Sequence, residues 1–341
     1  MASHTDNNLP QTMKLITQPS PSSQILTLVP SHPLPRPPPP SSSEHHLIHV
    51  HAASPCRHEL LWELADPHIF PNGRAEPRLP CPEGSGTIVT SAPGTEAAAF
   101  KPGDKVFFAP DYNPTGCLAE YIYVRTSELA LVPANITLTQ AAAVPLSALT
   151  AYQGLFAHGG LTAPGAPSAA KDNEDKKLLI TGASGSVGAW AVQLASAAGV
   201  GHITALSSPS KASLPRSLGA THILNRDDPG VDKYDVIFDT VGNPVLDSAW
   251  STIKPDGTSK IICVGADDPA KTRPDGAGGV AKAEWFLVQP SGSDLAKIAA
   301  LIEAGHCRPL VDSVYKFDEF EAAFQKVDRG ETRGGKVVIE V

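Results

Sequence analysis

Three patterns follow one another without a gap in the middle of this chain: an apolar run, a glycine-spaced turn and a helix pattern of small residues. Leu178-Leu179-Ile180 leads into Thr181-Gly182-Ala183-Ser184-Gly185-Ser186-Val187-Gly188, and that into Ala189-Trp190-Ala191-Val192-Gln193-Leu194-Ala195. The succession reads strand, tight turn, helix. Glycines let the backbone come close to a pyrophosphate, and the free N–H groups of the first helical turn, at the positive end of the helix dipole, favour its negative charge. A bare glycine turn can serve only to seat a helix on a sheet, but here both flanks have the pattern a dinucleotide cradle needs. Ala183, Ser184, Gly185, Ser186, Val187 and Gly188 are therefore candidate cofactor-binding residues.

The next strand should be His202-Ile203-Thr204-Ala205-Leu206, and an NAD site would place a carboxylate near its end to hold the ribose 2′-OH. From Ala189 to Arg226 there is no carboxylate at all, while Ser207, Ser208, Ser210 and Lys211 stand where the acid would be. Hydroxyls and an ammonium suit a 2′-phosphate, and the missing carboxylate removes the repulsion that would exclude it. The pattern favours NADP(H). A lysine that merely solvates the next helix is the competing reading of Lys211.

At 341 residues the chain exceeds what one core usually supports, so two domains are expected. The net charge of -8 argues against a phosphate-backbone partner, which needs basic surface to release counterions. No apolar stretch reaches the roughly 18 residues of a membrane span, and no basic segment followed by an apolar core opens the chain. Five scattered cysteines, Cys56, Cys81, Cys117, Cys263 and Cys307, suit reduced thiols rather than a disulfide framework. The expectation is a cytoplasmic protein with no nucleic-acid and no membrane partner.

Residues 1–12 are polar and unpatterned and read as a disordered tail. Pro30 to Ser43, with the run Pro37-Pro38-Pro39-Pro40, reads as a stiff surface connector or as a ligand for a polyproline-binding module. Alternating segments follow at Leu47–His51, Gly86–Val89, Asp104–Phe108 and Tyr121–Val124, the mark of a compact β barrel. After Gln140 the pattern changes to helices through Ala141–Gln153, with further strands at Asp235–Asp239 and Lys260–Val264. Alternating strands and helices imply a doubly wound parallel sheet. Pro164–Asp175 and Asp267–Gly279 read as polar surface loops.

Taken with the central turn, the phrases Phe100-Lys101-Pro102-Gly103-Asp104-Lys105-Val106, Leu149-Thr150-Ala151-Tyr152, Leu218-Gly219-Ala220 and Asp239-Thr240-Val241-Gly242 resemble the medium-chain dehydrogenase/reductase superfamily. Within it the chain is similar to the zinc-independent quinone oxidoreductases and trans-acting enoyl reductases. The resemblance runs from about Met13 to Val341. It implies an α/β protein, a Rossmann-type doubly wound parallel sheet plus a GroES-like β-barrel domain. The barrel would be discontinuous, with residues 13–137 and 306–341 forming the GroES-like domain and 138–305 the NADP-binding domain. The segment Phe317–Phe324 reads as an amphipathic helix and Val337–Val341 as a last strand. The resemblance further implies that Thr150 neighbours the nicotinamide ribose, that Val241-Gly242 and Val264-Gly265 are strand ends under the dinucleotide, and that Lys336 lies close to the cofactor. The family often has a tyrosine after the residue matching Asn225. Here Arg226 stands in that place, either reinforcing the 2′-phosphate site or as a plain surface charge.

The zinc-dependent branch of that superfamily needs a separate test. Ser54-Pro55-Cys56-Arg57-His58-Glu59-Leu60 looks like the segment of its first cysteine ligand, but the phrase that should hold the histidine ligand is Cys81-Pro82-Glu83-Gly84-Ser85-Gly86. Proline replaces the ligand and leaves the three-donor set broken. The cysteine lobe of a structural zinc is also missing, since no cysteine lies between Cys81 and Cys117. The cluster His45, His46, His49, His51 reads as solvated or core-edge histidines. No metal is expected.

A metal-free site suits reduction of a C=C conjugated to a carbonyl, or of a quinone, because the anion formed is resonance-stabilised. Tyr112 is the candidate hydrogen-bond donor, with a plain loop tyrosine as the alternative; His58 and Glu83 are lesser candidates, Glu83 being more structural. The implied partner is a small-molecule substrate, free or carrier-bound, acted on by a monomer or homodimer. Two other classes stay open: a cofactor-binding pseudoenzyme, and a non-redox cyclase or biosynthetic partner on the same fold.

Overall fold

The computed structural model describes residues 9–37, 44–93, 99–111, 116–225, 233–275 and 279–341. Tyr112 and Arg226 lie outside the described residues.

The N-terminal half is built from β1 (Thr12–Thr17), β2 (Thr27–Pro33), β3 (His45–Ser54), β4 (Glu83–Thr90), β5 (Lys105–Phe108), β6 (Tyr121–Arg125) and β7 (Leu129–Leu131). β1 and β2 form an antiparallel pair, in which Thr12 faces Pro33, so the stretch read as tail already contributes the first strand residue. Prolines at 30 and 33 are tolerated because β2 is an edge strand, where a missing N–H costs no ladder bond. The other five strands lie in one sheet ordered β4-β5-β7 outward from β3, with β6 on the other side of β3. β3 is the hub. Its first half pairs with β6 through His45–His49, and its last residues pair with the C-terminal strand through Ala52 and Ala53.

The second sheet is β8 (Lys177–Ile180), β9 (His202–Leu206), β10 (His222–Leu224), β11 (Val236–Asp239), β12 (Lys260–Cys263) and β13 (Lys282–Trp285) in the order β10-β9-β8-β11-β12-β13. All its pairings are parallel. The strand order reverses between β8 and β11, which puts a crevice beyond the carboxyl ends of those two strands. The Asp-containing run 235–239 and the run 260–264 are strands, each one residue shorter than its pattern. β13 is a half-buried edge strand, Lys-Ala-Glu-Trp, too mixed in polarity to show a period.

The chain then returns to the first sheet. β14 (Val311–Lys316) and β15 (Lys336–Glu340) extend it, and the helix Phe320–Asp328 buries Phe320, Ala323, Phe324 and Val327 against the barrel core of Leu15, Ile48, Phe108 and Leu118. Around the parallel sheet the core is built on Ile180 of β8 and Phe238 of β11 with Leu149, Trp190 and Leu295 from the helices Pro145–Tyr152, Ser186–Ala197 and Gly292–Glu303. Cys117 is fully buried in the barrel core, as a packing residue.

Pro30–Pro33, read as the start of a connector, end β2, and the insert read as a polar loop differs as well. Pro164–Asp175 is not a plain loop, because Ala169–Asn173 is helical. Asn173 explains it: the side chain is buried, its Oδ1 accepts from Thr162 N–H at 3.1 Å, and its Nδ2 donates to Thr162 O and Ala198 O, each at 2.8 Å. A polar composition hid a tertiary anchor. Asn173→Ala leaves those three backbone groups unpaired, and chemical denaturation should show a loss of about 2–4 kcal/mol; an unchanged midpoint would mean that water replaces the amide.

Candidate active site

The turn after β8 can be built only from glycine at its tight points. Gly182 sits at φ +58°, and a Cβ on Gly188 would lie 2.3 Å from Gly182 O. The helix Ser186–Ala197 therefore starts directly against the turn. Its N-cap is Gly185, with no side-chain cap, so the first N–H groups stay available to a ligand. A buried carboxylate fixes the neighbouring strand end: Asp239 accepts from Thr181 Oγ1, from Gly242 N–H at 2.8 Å and from Cys263 Sγ at 3.0 Å. Thr240 adds two more bonds, its N–H donating to Thr181 Oγ1 at 3.0 Å and its hydroxyl to Thr181 O at 2.9 Å. The loops after β8 and β11 are thus one rigid rim.

That rim borders a cleft of about 400 Å³. One wall is Ser184, Gly185, Ser186, Val187, Thr240 and Val264 from the parallel sheet, and another is Pro55, Cys56 and Arg57 from the end of β3. Val327, Gly330, Thr332, Gly335, Lys336 and Val337 come from the C-terminal return, and Ser147 from the helix Pro145–Tyr152. Lys211 completes the lining, its Nζ 3.5 Å from Thr332 O. Charged side chains in this lining are Arg57, Lys211 and Lys336, with no carboxylate among the described residues. Lys336 is paired with Glu83 beneath the lining, so the cationic face of the cleft, in a chain of net charge -8, is carried by Arg57 and Lys211.

The cleft does not gather every expected residue. Ala183 and Gly188 are buried beneath the turn rather than in its lining. Thr150 spends its hydroxyl proton on Leu146 O at 2.7 Å, and Ser147 lines the cleft instead. Ser207 is buried with its hydroxyl toward Ser208 O at 3.4 Å, and Ser208 Oγ lies 3.3 Å from Ser210 Oγ beside Lys211. Val241 is exposed, Gly242 is held by Asp239, and Gly265 O accepts from the Trp285 indole at 2.9 Å; these three sit at the strand ends outside the lining. His58 is not in the lining; its backbone N–H donates to Asp328 Oδ1 at 2.8 Å, and its ring Nδ1 lies 3.7 Å from the same oxygen. Arg57, Thr332 and the role of Asp239 were not legible, because their approach to the turn is made only by the fold, and Cys56, weighed in the sequence only as a zinc ligand, lines the cleft.

The cleft floor holds a buried ion cluster. Lys336 Nζ donates to Pro55 O at 2.9 Å and to Cys56 Sγ at 3.1 Å, and forms an ion pair with Glu83 Oε1 at 2.8 Å. Glu83 is fully buried, and its other oxygen accepts from Leu146 N–H at 2.9 Å. Burial alone would lower the lysine's affinity for its proton, but Cys56 and Glu83 outweigh it and hold Lys336 charged. Burial pushes the Cys56 thiol up to about 12 against the pull of Lys336, so it keeps its proton at neutral pH. These residues do not fit a catalytic zinc. Pro82 has no donor, an ammonium already faces the Cys56 sulfur, and no group of three or more His, Cys, Asp or Glu side chains among the described residues could hold a metal ion. The histidines of β3 are likewise engaged: His46 Nδ1 accepts from Ala92 N–H at 3.2 Å while Nε2 pairs with Thr126 Oγ1 at 2.9 Å, and His49 stacks on Tyr121.

With this geometry in place, the likenesses to known proteins are specific. Residues 218–339 match the family described as "Zinc-binding dehydrogenase" and residues 42–134 the "Alcohol dehydrogenase GroES-like domain". The chain is 35% identical, over the full length of both chains, to "Probable zinc-binding oxidoreductase, mitochondrial" of Arthroderma benhamiae. It is 30% identical to "NADPH-dependent alkenal/one oxidoreductase, chloroplastic" of Arabidopsis thaliana, covering 78% of this chain and 64% of that one. The solved structure of the quinone oxidoreductase from Coxiella burnetii superposes with a TM-score of 0.75 at 21% identity, covering 97% and 98% of the two chains, a likeness of fold. The chain belongs to the medium-chain dehydrogenase/reductase superfamily and is an oxidoreductase. No helix among the described residues is long and apolar enough to cross a membrane.

A second buried carboxylate shapes the same wall. Glu59 accepts from Cys56 N–H at 2.6 Å and from Cys81 N–H at 2.7 Å, and so fixes two segments whose turns place His58 and Cys81 at positive φ. Burial pushes its carboxyl up to about 7, against those N–H groups and Arg74. Between the ordinary value of 4.5 and about 7 the folded chain binds a proton that the unfolded chain releases, so this contribution to stability is full at low pH and is lost as pH rises through the upper value. Urea unfolding of Glu59→Gln should lack this decline between pH 5 and pH 7.5, whereas a decline equal to that of the wild type would assign the effect to other groups.

Proposed function

We propose that this oxidoreductase uses NADPH to reduce a C=C bond conjugated to a carbonyl, or a quinone, without zinc. The observation that carries the reading is the cleft at the strand-order switch: an uncapped helix N-terminus on one wall, and only cationic charges around it. Ser184, Gly185, Ser186 and Val187 would hold the pyrophosphate on their N–H groups, with Ala183 and Gly188 shaping the turn from below. Lys211, with Ser207 and Ser208, would hold the 2′-phosphate. Val241-Gly242 and Val264-Gly265 would underlie the dinucleotide, and Thr150 would support the nicotinamide end. When bound, the cofactor supplies the hydride. The relatives' names, an alkenal/one oxidoreductase among them, support this substrate class. The division into residues 13–137 with 306–341 and 138–305 would put the cleft at the junction of two rigid bodies, where closure excludes water.

What the chain must add is orientation and charge stabilisation for the anion that forms on the substrate. An enolate or phenolate is delocalised and needs modest help, whereas an alkoxide from a simple ketone needs a stronger electrophile. Lys336 provides a fixed positive charge at the cleft floor, and the missing histidine donor at position 82 leaves no ligand set for a metal to do so.

Purified protein should hold less than stoichiometric zinc, oxidise NADPH with a panel of enones and quinones, and keep that activity after chelation. Turnover of simple alcohols with NADP⁺ and none of the panel would sink the reading. Lys211→Ala should weaken NADPH binding roughly tenfold, the worth of one charge-assisted hydrogen bond, and leave NADH nearly unchanged. Equal losses for both cofactors would move Lys211 from recognition to folding.

A further inference from the structure

Lys336 cannot itself be the group that hands a proton to the substrate. The residue is only 6% exposed, and three acceptors, Pro55 O, Cys56 Sγ and Glu83 Oε1, surround its ammonium at 2.9, 3.1 and 2.8 Å. Each N–H therefore has a fixed place inside the protein. Cys56 differs. It is half-buried, it lines the cleft, and its sulfur receives the lysine's N–H, which leaves its own S–H free to rotate toward the open side. Its backbone is held on both sides, by Pro55 before it and by the bond from its own N–H to Glu59 Oε2 at 2.6 Å.

We propose that Cys56 is the proton donor of the reduction, and that Lys336, held by Glu83, is the positioning residue that steadies the thiol and the thiolate left behind. The inference rests on the reductive reading above. As hydride reaches the carbon β to the carbonyl, the C=C electron pair moves to make an enolate. Cys56 Sγ–H gives its proton to the α carbon; the phenolate formed from a quinone, a weaker base than the thiolate, takes its proton from water. The thiolate, held beside the Lys336 ammonium, then takes a proton from water that enters the cleft, and the lysine stays charged throughout. The sum is one hydride from NADPH and one proton from solvent per substrate reduced. The groups that bear on the thiol are Lys336, Glu83 and Glu59, besides the apolar core it packs against. Its high pKa is useful here. A protonated thiol is a poor nucleophile, so an electrophilic enone in the cleft is met by an acid rather than by a thiolate that would add to it.

The test uses Cys56→Ala and Cys56→Ser in the full chain, with NADPH fluorescence titration and reduction of an α-substituted enone in D₂O. Both variants should bind NADPH with wild-type affinity. Cys56→Ala should lose about 100-fold in kcat, the low end for a lost general acid. Its residual product should carry α-deuterium on both faces, while deuteride from labelled NADPH still arrives at the β carbon. The serine variant should fall between. Iodoacetamide at pH 9 should alkylate Cys56, and a saturated ketone bound with NADP⁺ should slow that reaction. Wild-type rate and single-face α-deuteration in either variant would overturn the inference while leaving the reductive reading intact. If the alanine variant binds no NADPH, the serine variant decides by the same α-face criterion. A wild type that consumes no NADPH with any enone or quinone overturns the reading and the inference together.

Discussion

The buried ion pair between Lys336 and Glu83 is the contact on which the site depends. It joins β15 to β4, and through Pro55 O, Cys56 Sγ and Leu146 N–H it reaches the end of β3 and the helix that flanks the parallel sheet. A charge removed from water without its partner costs several kcal/mol, so neither Lys336 nor Glu83 can be dropped alone; losing one side of such a pair typically costs about 3–5 kcal/mol. The C-terminal return of the chain is held where it closes the cleft because its first strand residue is this lysine.

The same cluster occupies the segments whose phrases resemble the metal-dependent branch. Cys56 and Glu83 stand in phrases that resemble the metal branch, and Pro82 interrupts them. A buried ammonium, Lys336, faces the Cys56 sulfur there and is paired with Glu83. Glu59 accepts from two backbone N–H groups nearby and so holds the Cys56 and Cys81 segments in turns that place His58 and Cys81 at positive φ.

Cofactor and substrate would meet on a surface whose charge opposes that of the whole protein. The acid-free stretch from Ala189 to Arg226 and the cationic lining of Arg57 and Lys211 give a local field that draws anions into a crevice whose rim is made rigid by Asp239. Because Asp239 binds both the β8 and the β11 loops, the cradle is pre-organised and little ordering is left for binding to accomplish.

Local patterns were sufficient for the elements that are long in period or strict in stereochemistry. Leu178–Ile180, His202–Leu206, the helix from Ser186 and the glycine turn follow from apolar runs and from backbone that only glycine can adopt. The middles of β3 and β4, whose full spans His45–Ser54 and Glu83–Thr90 run one to three residues beyond the pattern at each end, follow from alternation. Short edge strands such as β13, the helix at Ala169–Asn173 anchored by Asn173, and the turning of Thr150 away from the cleft in favour of Ser147 did not, since each is set by a partner far away in the chain. By itself the sequence determined the fold class, the nucleotide turn and the broken metal phrase, all of which rest on neighbouring residues. Only the tertiary structure decided that Lys336 meets Cys56, 280 residues earlier in the chain, and Glu83, and that Lys211 meets Thr332. Such contacts are made by sheet pairing and domain return, and no spacing along the chain encodes the distance between two side chains that the fold alone brings together.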